Sequence, residues 1–423
     1  MKTVVFTTWG SYGDLHPYMA LAGELQQRGR HCIIGTSPIY KEKVESAGLE
    51  FRPVRPDLPP PESEEAREMI REVSHWLRGP EYLFRELLMP HLKETYADTL
   101  AAVEGADLLV SHQVPMTAPL VAEKTGIKRI SCVLFPIAFA SAYDPPTPPQ
   151  FPALRAVAAA HPSLARVLYG FGKWTTQFWI EPINMLRTEL GLPLGPNPIF
   201  EGQHSPTLVL ALFSKLLSGL QPDFPKNTLI TGFPFYDRAD LNPPENELFD
   251  FLDAGDPPIV FTLGSSLVWL AGDFYRVSIE VAQKLGKRAV LLVGDKRNLP
   301  GGDLPDGIVA IDYAPHNLVM PRASVVVHQG GIGTTGQALR SGRPMLVVPH
   351  GQDQPDNARR CVNLGVAQTL SADAYSVQRV ARELGRLLNE PAYGDRADEV
   401  GRIVREENGL KTACDSIERI LGG

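Results

Sequence analysis

Two kinds of segment alternate along nearly the whole chain: short runs of apolar residues, and longer stretches in which apolar residues recur every three or four positions. Lys2–Thr8, His31–Thr36, Leu49–Val54, Asp107–His112, Arg129–Phe135, Thr207–Phe213 and Thr228–Gly232 are runs of the first kind. Continuous apolarity of this sort marks strands covered on both faces, as in a parallel sheet packed between helices. Pro17–Leu25 reads as a helix with proline near its first turn, where a missing N–H costs little. The second half repeats the scheme: Ile259–Ser266 opens it, and Ala289–Val293, Ile308–Ile311, Val325–His328 and Met345–Val348 follow, each alternating with a helix. This alternation predicts an α/β protein of two doubly wound, Rossmann-like domains that bind ligands at the carboxyl ends of their strands.

Other stretches break the alternation. Arg52–Pro61 is proline-rich, and Glu62–Val103 is charged and helical with breaks near Gly79–Pro80 and Pro90. A helix is expected from about Pro115. Pro136–Pro152 is too rich in proline to be regular. Ser163–Leu190 is a long helical stretch carrying Tyr169, Phe171, Trp174, Phe178 and Trp179. Aromatics at helical spacing read first as core, yet their density after the Arg129–Phe135 strand also suits an apolar binding cleft. Pro234–Pro258 marks a linker, placing the domains at 1–235 and 236–407.

At 423 residues the chain exceeds one ordinary core, in keeping with two domains of about 200 residues. A net charge of −7 without a basic block argues against nucleic acid as a partner. Cys32, Cys132, Cys361 and Cys414 lack metal-ligand spacing and fit a reduced, cytoplasmic setting. The amino terminus shows no signal-peptide pattern, and no apolar run reaches the ~20 residues a membrane helix needs.

The chemistry concentrates in His328-Gln-Gly-Gly-Ile-Gly-Thr-Thr-Gly-Gln337, between the strand ending at His328 and a helix expected over Thr334–Ser341. A glycine turn there lets the backbone approach an anion, which the free N–H groups of the helix start then face. His328 would add a side-chain donor to the same oxygens. Gly331–Gly336 also matches the dinucleotide fingerprint, with Asp353 about twenty residues on, so an NAD(P)-dependent oxidoreductase is one reading. That fingerprint normally follows the first strand of its unit, whereas this one comes late.

The larger set is Tyr313-Ala-Pro-His316, His328–Thr334, Gly342-Arg-Pro344 and Asp353-Gln354, together with Thr231–Asp237 and Gly10–Pro17. It resembles the family 1 inverting glycosyltransferases, and most of all the bacterial branch of macrolide, glycopeptide and rhamnolipid enzymes with the related sterol glucosyltransferases. The resemblance implies the GT-B architecture, with two Rossmann-like domains facing across a cleft. The acceptor would lie in the N-terminal domain and the donor in the C-terminal one, and the last helix (about 408–423) would cross back to the first domain. Gly13, Ser265, Ser266, Tyr313, Ala314, His316, His328, Gly330, Gly331, Ile332, Gly333, Thr334, Gln337, Asp353 and Gln354 would then hold a UDP- or dTDP-sugar. Within that set Tyr313 stacks on the base, Gln337 reaches the ribose where relatives often carry Glu, and Asp353 and Gln354 bind the sugar.

Asp14 occupies the place of the family's catalytic base, with His16 as its rival and His112 as a third titratable group. Asp14 follows a glycine-containing loop and is expected to be free of helix, with desolvation needed to raise its pKa. No metal and no cofactor beyond the donor are implied, since a helix start can offset the charge of the leaving diphosphate. The reading is an inverting transfer of a hexose to a hydroxyl of a small, fairly apolar acceptor. The alternatives are the oxidoreductase and a non-catalytic sugar-nucleotide-binding protein.

Overall fold

The computed structural model describes residues 1–147, 154–237 and 246–422. The first sheet holds β1 (Thr3–Thr7), β2 (His31–Thr36), β3 (Glu50–Pro53), β4 (Leu108–Ser111), β5 (Lys128–Val133), β6 (Leu208–Ala211) and β7 (Thr228–Ile230). Its order is β3-β2-β1-β4-β5-β6-β7, and every pairing is parallel. The second holds β8 (Ile259–Thr262), β9 (Ala289–Leu292), β10 (Ile308–Ile311), β11 (Val325–His328), β12 (Met345–Val347) and β13 (Ala367–Thr369). It repeats the order as β10-β9-β8-β11-β12-β13, again all parallel.

Each apolar run became a strand because both of its faces are covered. Val4, Val5 and Phe6 of β1 and Ile259, Val260 and Phe261 of β8 are wholly buried. β13 escaped the sequence reading: it has three residues at a sheet edge and only the first is buried, so it carries no apolar run.

The chain forms two compact units, Met1–Pro60 with Leu77–Tyr236 and Asn408–Gly423, and Pro61–Trp76 with Asp237–Glu407. Pro61–Trp76 thus groups with the second unit although it lies within the N-terminal half of the sequence. Ile70, from its Glu64–Ser74 helix, packs on the second unit's core. The last helix, Gly409–Gly422, lies in the first unit. Its Ala413, Cys414 and Ile417 are fully buried, and Cys414 Sγ contacts the Leu21 carbonyl oxygen of the Tyr12–Gln27 helix. Arg28 and Arg30 reach Asp415 and Glu418 at 2.7 to 3.1 Å; solvent weakens such part-exposed pairs, so apolar burial does most of the holding.

The aromatic stretch overturns its core reading. The Pro162–Thr175 helix turns Ala165 inward, onto a small cluster with Ala142, Ala158, Leu168 and Tyr169. Phe171, Trp174 and Phe178 are 63%, 65% and 76% exposed. The stretch is also not one helix, since the segment from Gln177 to Ile180 is a 3-10 turn. Of the Pro136–Pro152 segment, residues 148–152 lie outside the described residues, as do 238–245 of the linker.

In each sheet the chain winds one way from the central strand and then the other. The loops after β1 and β4, and those after β8 and β11, therefore diverge and leave room for a ligand at the carboxyl edge.

Candidate active site

In the first unit, β1 leads through Gly10 into the Tyr12–Gln27 helix, which begins five residues before Pro17 and leaves that proline inside it. Gly10 sits at φ +131°, and a Cβ there would fall 2.3 Å from Asp14 Oδ2. Ser11 is the N-cap and Asp14 the third helical residue. Asp14 Oδ2 accepts the Ser11 N–H at 2.8 Å and the Ser11 hydroxyl at 3.1 Å, while Ser11 Oγ accepts the Gly13 N–H at 3.1 Å. The expectation that Asp14 stands free of helix is therefore corrected. It is one half of a capping box, because an acid at this position satisfies an otherwise orphaned N–H. Gly13, expected at the donor, has its N–H engaged in the same cap.

The other oxygen, Asp14 Oδ1, lies 3.8 Å from Nε2 of His112, just past β4. His112 is 2% exposed and stands edge-on to Tyr18. Burial pushes its pKa down, against the opposing pull of the Asp14 charge. The order of the sheet, with β1 beside β4, makes this pair. His16 is placed differently: its ring is stacked between Tyr12 and Tyr236, at 5.3 and 5.0 Å.

In the second unit, the turn after β11 is knit from within. Gly330 takes φ +92°, and its N–H donates to Nδ1 of His328 at 3.1 Å. Nε2 of His328 faces Met345 Sδ at 3.3 Å, so the fully buried ring has both nitrogens turned to protein. Burial, with His316 nearby, brings its pKa down to about 3. His328 was expected to donate to phosphate oxygens; it instead shapes the turn, as a neutral acceptor for the Gly330 N–H.

The following helix begins at Ile332, two residues earlier than read, and Gly331 at its N-cap brings no capping side chain. The first N–H to close on the helix is that of Thr335, onto Gly331 O at 2.9 Å. The N–H groups of Ile332, Gly333 and Thr334 thus have no partner within the helix, the arrangement that binds anions.

Gln329 and Asn357 went unnoticed in the sequence. Gln329 is 7% exposed and lies between two glycines: a Cβ on Gly264 or Gly331 would fall 2.2 or 2.9 Å from its Nε2. Its Oε1 is enclosed with no hydrogen-bond partner among the described residues. The polar side chain among the glycines was the available clue. Asn357 donates to Gly330 O at 2.9 Å and to Asp353 Oδ2 at 2.6 Å, tying the turn to the Asp353-Gln354 pair. Gln354 Oε1 accepts the N–H groups of His350 at 2.9 Å and Gly351 at 3.4 Å.

The remaining residues surround this turn unevenly. Ser265 is exposed and Ser266 half-buried on the single helical turn Gly264–Leu267 after β8. Tyr313 is 57% exposed and Ala314 buried. His316 opens a short helix, and burial brings its pKa to about 4. Gln337, expected at the ribose, donates to Asp237 at 3.3 Å, and Arg340 pairs with the same carboxylate at 2.6 Å. Among the described residues no group of His, Cys, Asp and Glu could hold a metal, and no helix is long and apolar enough to cross a membrane.

Known proteins share this organisation. A glycosyltransferase family 28 N-terminal domain is matched over residues 4–140, and an erythromycin biosynthesis protein CIII-like C-terminal domain over 279–409. The O-mycaminosyltylonolide 6-deoxyallosyltransferase of Streptomyces fradiae is 30% identical over 432 residues, 98% of this chain and 96% of its own. A sterol 3-beta-glucosyltransferase of Neurospora crassa is 29% identical over 98% of this chain, which spans only 27% of that longer protein. Among solved structures, the glycosyltransferase VinC in complex with dTDP has a TM-score of 0.70 at 19% identity, covering 99% of both chains, a likeness of GT-B fold. With a relative this similar over nearly its whole length, the chain belongs to the family 1 glycosyltransferases, enzymes that transfer a sugar from a nucleotide-diphosphate donor.

Proposed function

We propose that the chain transfers a hexose, with inversion, from a dTDP- or UDP-sugar to a hydroxyl of a small apolar acceptor. One observation carries the donor half of this reading. Gln329, the uncapped helix start at Ile332–Thr334 and the Asp353-Gln354 pair meet around one glycine turn, joined through Asn357. The diphosphate lies on the helix N–H groups, whose partial positive charge offsets the negative charge that grows as it leaves. Ser265, Ser266 and Gln329 add polar contacts, Tyr313 offers an exposed ring to the base, and His316 stands near. At the sugar, the Gln354 carbonyl is already used by the loop, so its NH2 group faces a hydroxyl. Asp353 accepts from another.

On the acceptor side, Asp14 is the base. The attacking oxygen becomes strongly acidic as it bonds to an oxocarbenium-like anomeric carbon, so a carboxylate within reach can take the proton. His112, kept neutral by burial, backs Asp14 Oδ1 and orients it. His16, with both ring faces covered, forms part of the wall. The exposed Leu164, Val167, Phe171, Trp174 and Phe178 supply an apolar surface for the acceptor.

The test is a thermal-shift panel of dTDP, UDP, their glucose conjugates and NAD(H), followed by transfer to hydroxylated apolar compounds, sterols among them. A ligand at ~100 times its Kd should stabilise the fold by roughly 2.7 kcal/mol. Stabilisation by NAD(H) alone, or a product that retains the donor's anomeric configuration, overturns the proposal.

A further inference from the structure

The loop that carries the sugar-facing pair has an anchor of its own. Gln352 sits at φ +56°; among the described residues only it and Ala140 are non-glycine residues at positive φ. That conformation is unfavourable for a residue with a Cβ and persists only where its surroundings enforce it. Here the enforcing contact is visible: Gln352 Nε2 donates to the carbonyl oxygen of Val73. Val73 and Ser74 end the Glu64–Ser74 helix, where backbone carbonyls lack intrahelical partners and are ready acceptors. Next to Gln352, Gly351 lies flush on the same helix end, since a Cβ there would be 2.5 Å from Ser74 O. Asp353 follows immediately as N-cap of the Gln354–Asn363 helix, and Gln354 Oε1 closes the loop onto His350 and Gly351.

We infer that Gln352 is a positioning residue for the sugar. By gripping the end of the Glu64–Ser74 helix, it sets where Asp353 and Gln354 present their polar groups. That grip governs how tightly and how selectively the hexose of a nucleoside-diphosphate sugar is held. The inference rests on the reading of Asp353 and Gln354 as the sugar-holding pair. It makes sugar selectivity depend on a helix whose residues lie between β3 and β4 of the other sheet in sequence. At this strained position the glutamine amide makes the connection. Glycine would hold the same backbone conformation more easily, but without the grip.

The experiment is calorimetric titration of the full chain with dTDP, UDP, dTDP-glucose, UDP-glucose and UDP-galactose, for wild type, Q352G, Q352E and G351A. Q352G accepts φ +56° and removes the side chain that carries the amide. Its affinity for free dTDP and UDP should stay within about twofold, while the affinity added by glucose drops about tenfold, as for one lost hydrogen-bonded register. The preference between UDP-glucose and UDP-galactose should narrow. Q352E sets an acceptor against the Val73 carbonyl and should do at least as much, and G351A should pry the loop away with the same signature. Two results overturn the inference: sugar affinities in Q352G equal to wild type, or equal proportional losses for free nucleotides and sugar nucleotides, which mean a scaffold role. D353N run alongside separates the two layers. If it spares the glucose increment, the sugar-pair reading fails; if it abolishes the increment while Q352G does not, the grip alone fails.

Discussion

The loops at the two switch points follow the same topology and yet are built in opposite ways. After β11, the loop is closed by its own hydrogen bonds: His328 holds Gly330, Asn357 joins Gly330 to Asp353, and Gln354 fastens His350. After β1 and β4, one carboxylate oxygen serves a helix cap and the other meets a buried imidazole at 3.8 Å. The first design suits an anion that is alike in every donor, because preformed N–H groups need no rearrangement. The second, in which Asp14 Oδ1 and the buried His112 ring meet loosely at 3.8 Å, suits a reaction in which a proton must move. The loop after β11 is knit largely from residues near it in sequence, whereas Asp14 and His112 are brought together by the order of the strands.

Separating the two regions by mutation should give the largest effect. Asp14→Asn keeps an oxygen for the cap but cannot take a proton, so turnover should fall by at least about a hundredfold with nucleotide affinity unchanged. Initial rates with dTDP-glucose and UDP-glucose, set beside calorimetry, check this. If His16→Ala shows the loss and Asp14→Asn does not, the base is His16 and the contrast must be redrawn.

A smaller effect is expected at the rigid turn. His328→Ala removes the acceptor of the Gly330 N–H within a buried site, a loss of roughly 1–3 kcal/mol. Because the ring shapes the turn rather than touching phosphate, melting temperature and dTDP or UDP affinity should fall together. A variant of unchanged melting temperature that has lost affinity would return His328 to the ligand.

The smallest effect is shared by both regions, since each holds a buried imidazole. His328 titrates at about 3 in the folded chain, and burial lowers His112 as well, whereas an unfolded histidine titrates near ~6.5. Between these values the unfolded chain binds protons that the folded chain does not, so stability is full above ~6.5 and declines as pH falls toward the folded pKa. Each such histidine contributes a slope of at most ~1.4 kcal/mol per pH unit. Urea melts from pH 7.5 to 4.5 should show the decline, and His112→Gln or His328→Gln should each flatten it. A flat wild-type profile would mean that neither ring is held neutral.

Much of the fold was legible along the chain. Runs such as Val4–Phe6 and Val325–Val327 are apolar throughout because strands of a doubly covered parallel sheet meet no water on either face. The glycine turn after β11 was legible for a related reason: its strand, glycines and helix start are consecutive in the sequence. Its inner partners were not. Gln329 is one polar residue among glycines, Asn357 is a polar position four residues past Asp353, and nothing local says what either would face. The role of His328 was misread, because nothing local says that Met345 and Gly330 would occupy its two nitrogens.

By itself, then, the sequence determined the two parallel sheets and the glycine turn, features set by periodicity and by contiguous residues. The tertiary structure alone decided which distant groups meet: Asp14 with His112, Asp237 with Gln337, and Gln352 with Val73, 279 positions away. It also decided that the Pro162–Thr175 helix would bury Ala165 and expose Phe171 and Trp174. The physical reason is common to all of these. Helical spacing tells which residues share a face but not which face finds a neighbour, and pairing across a sheet follows strand order, which no local pattern encodes.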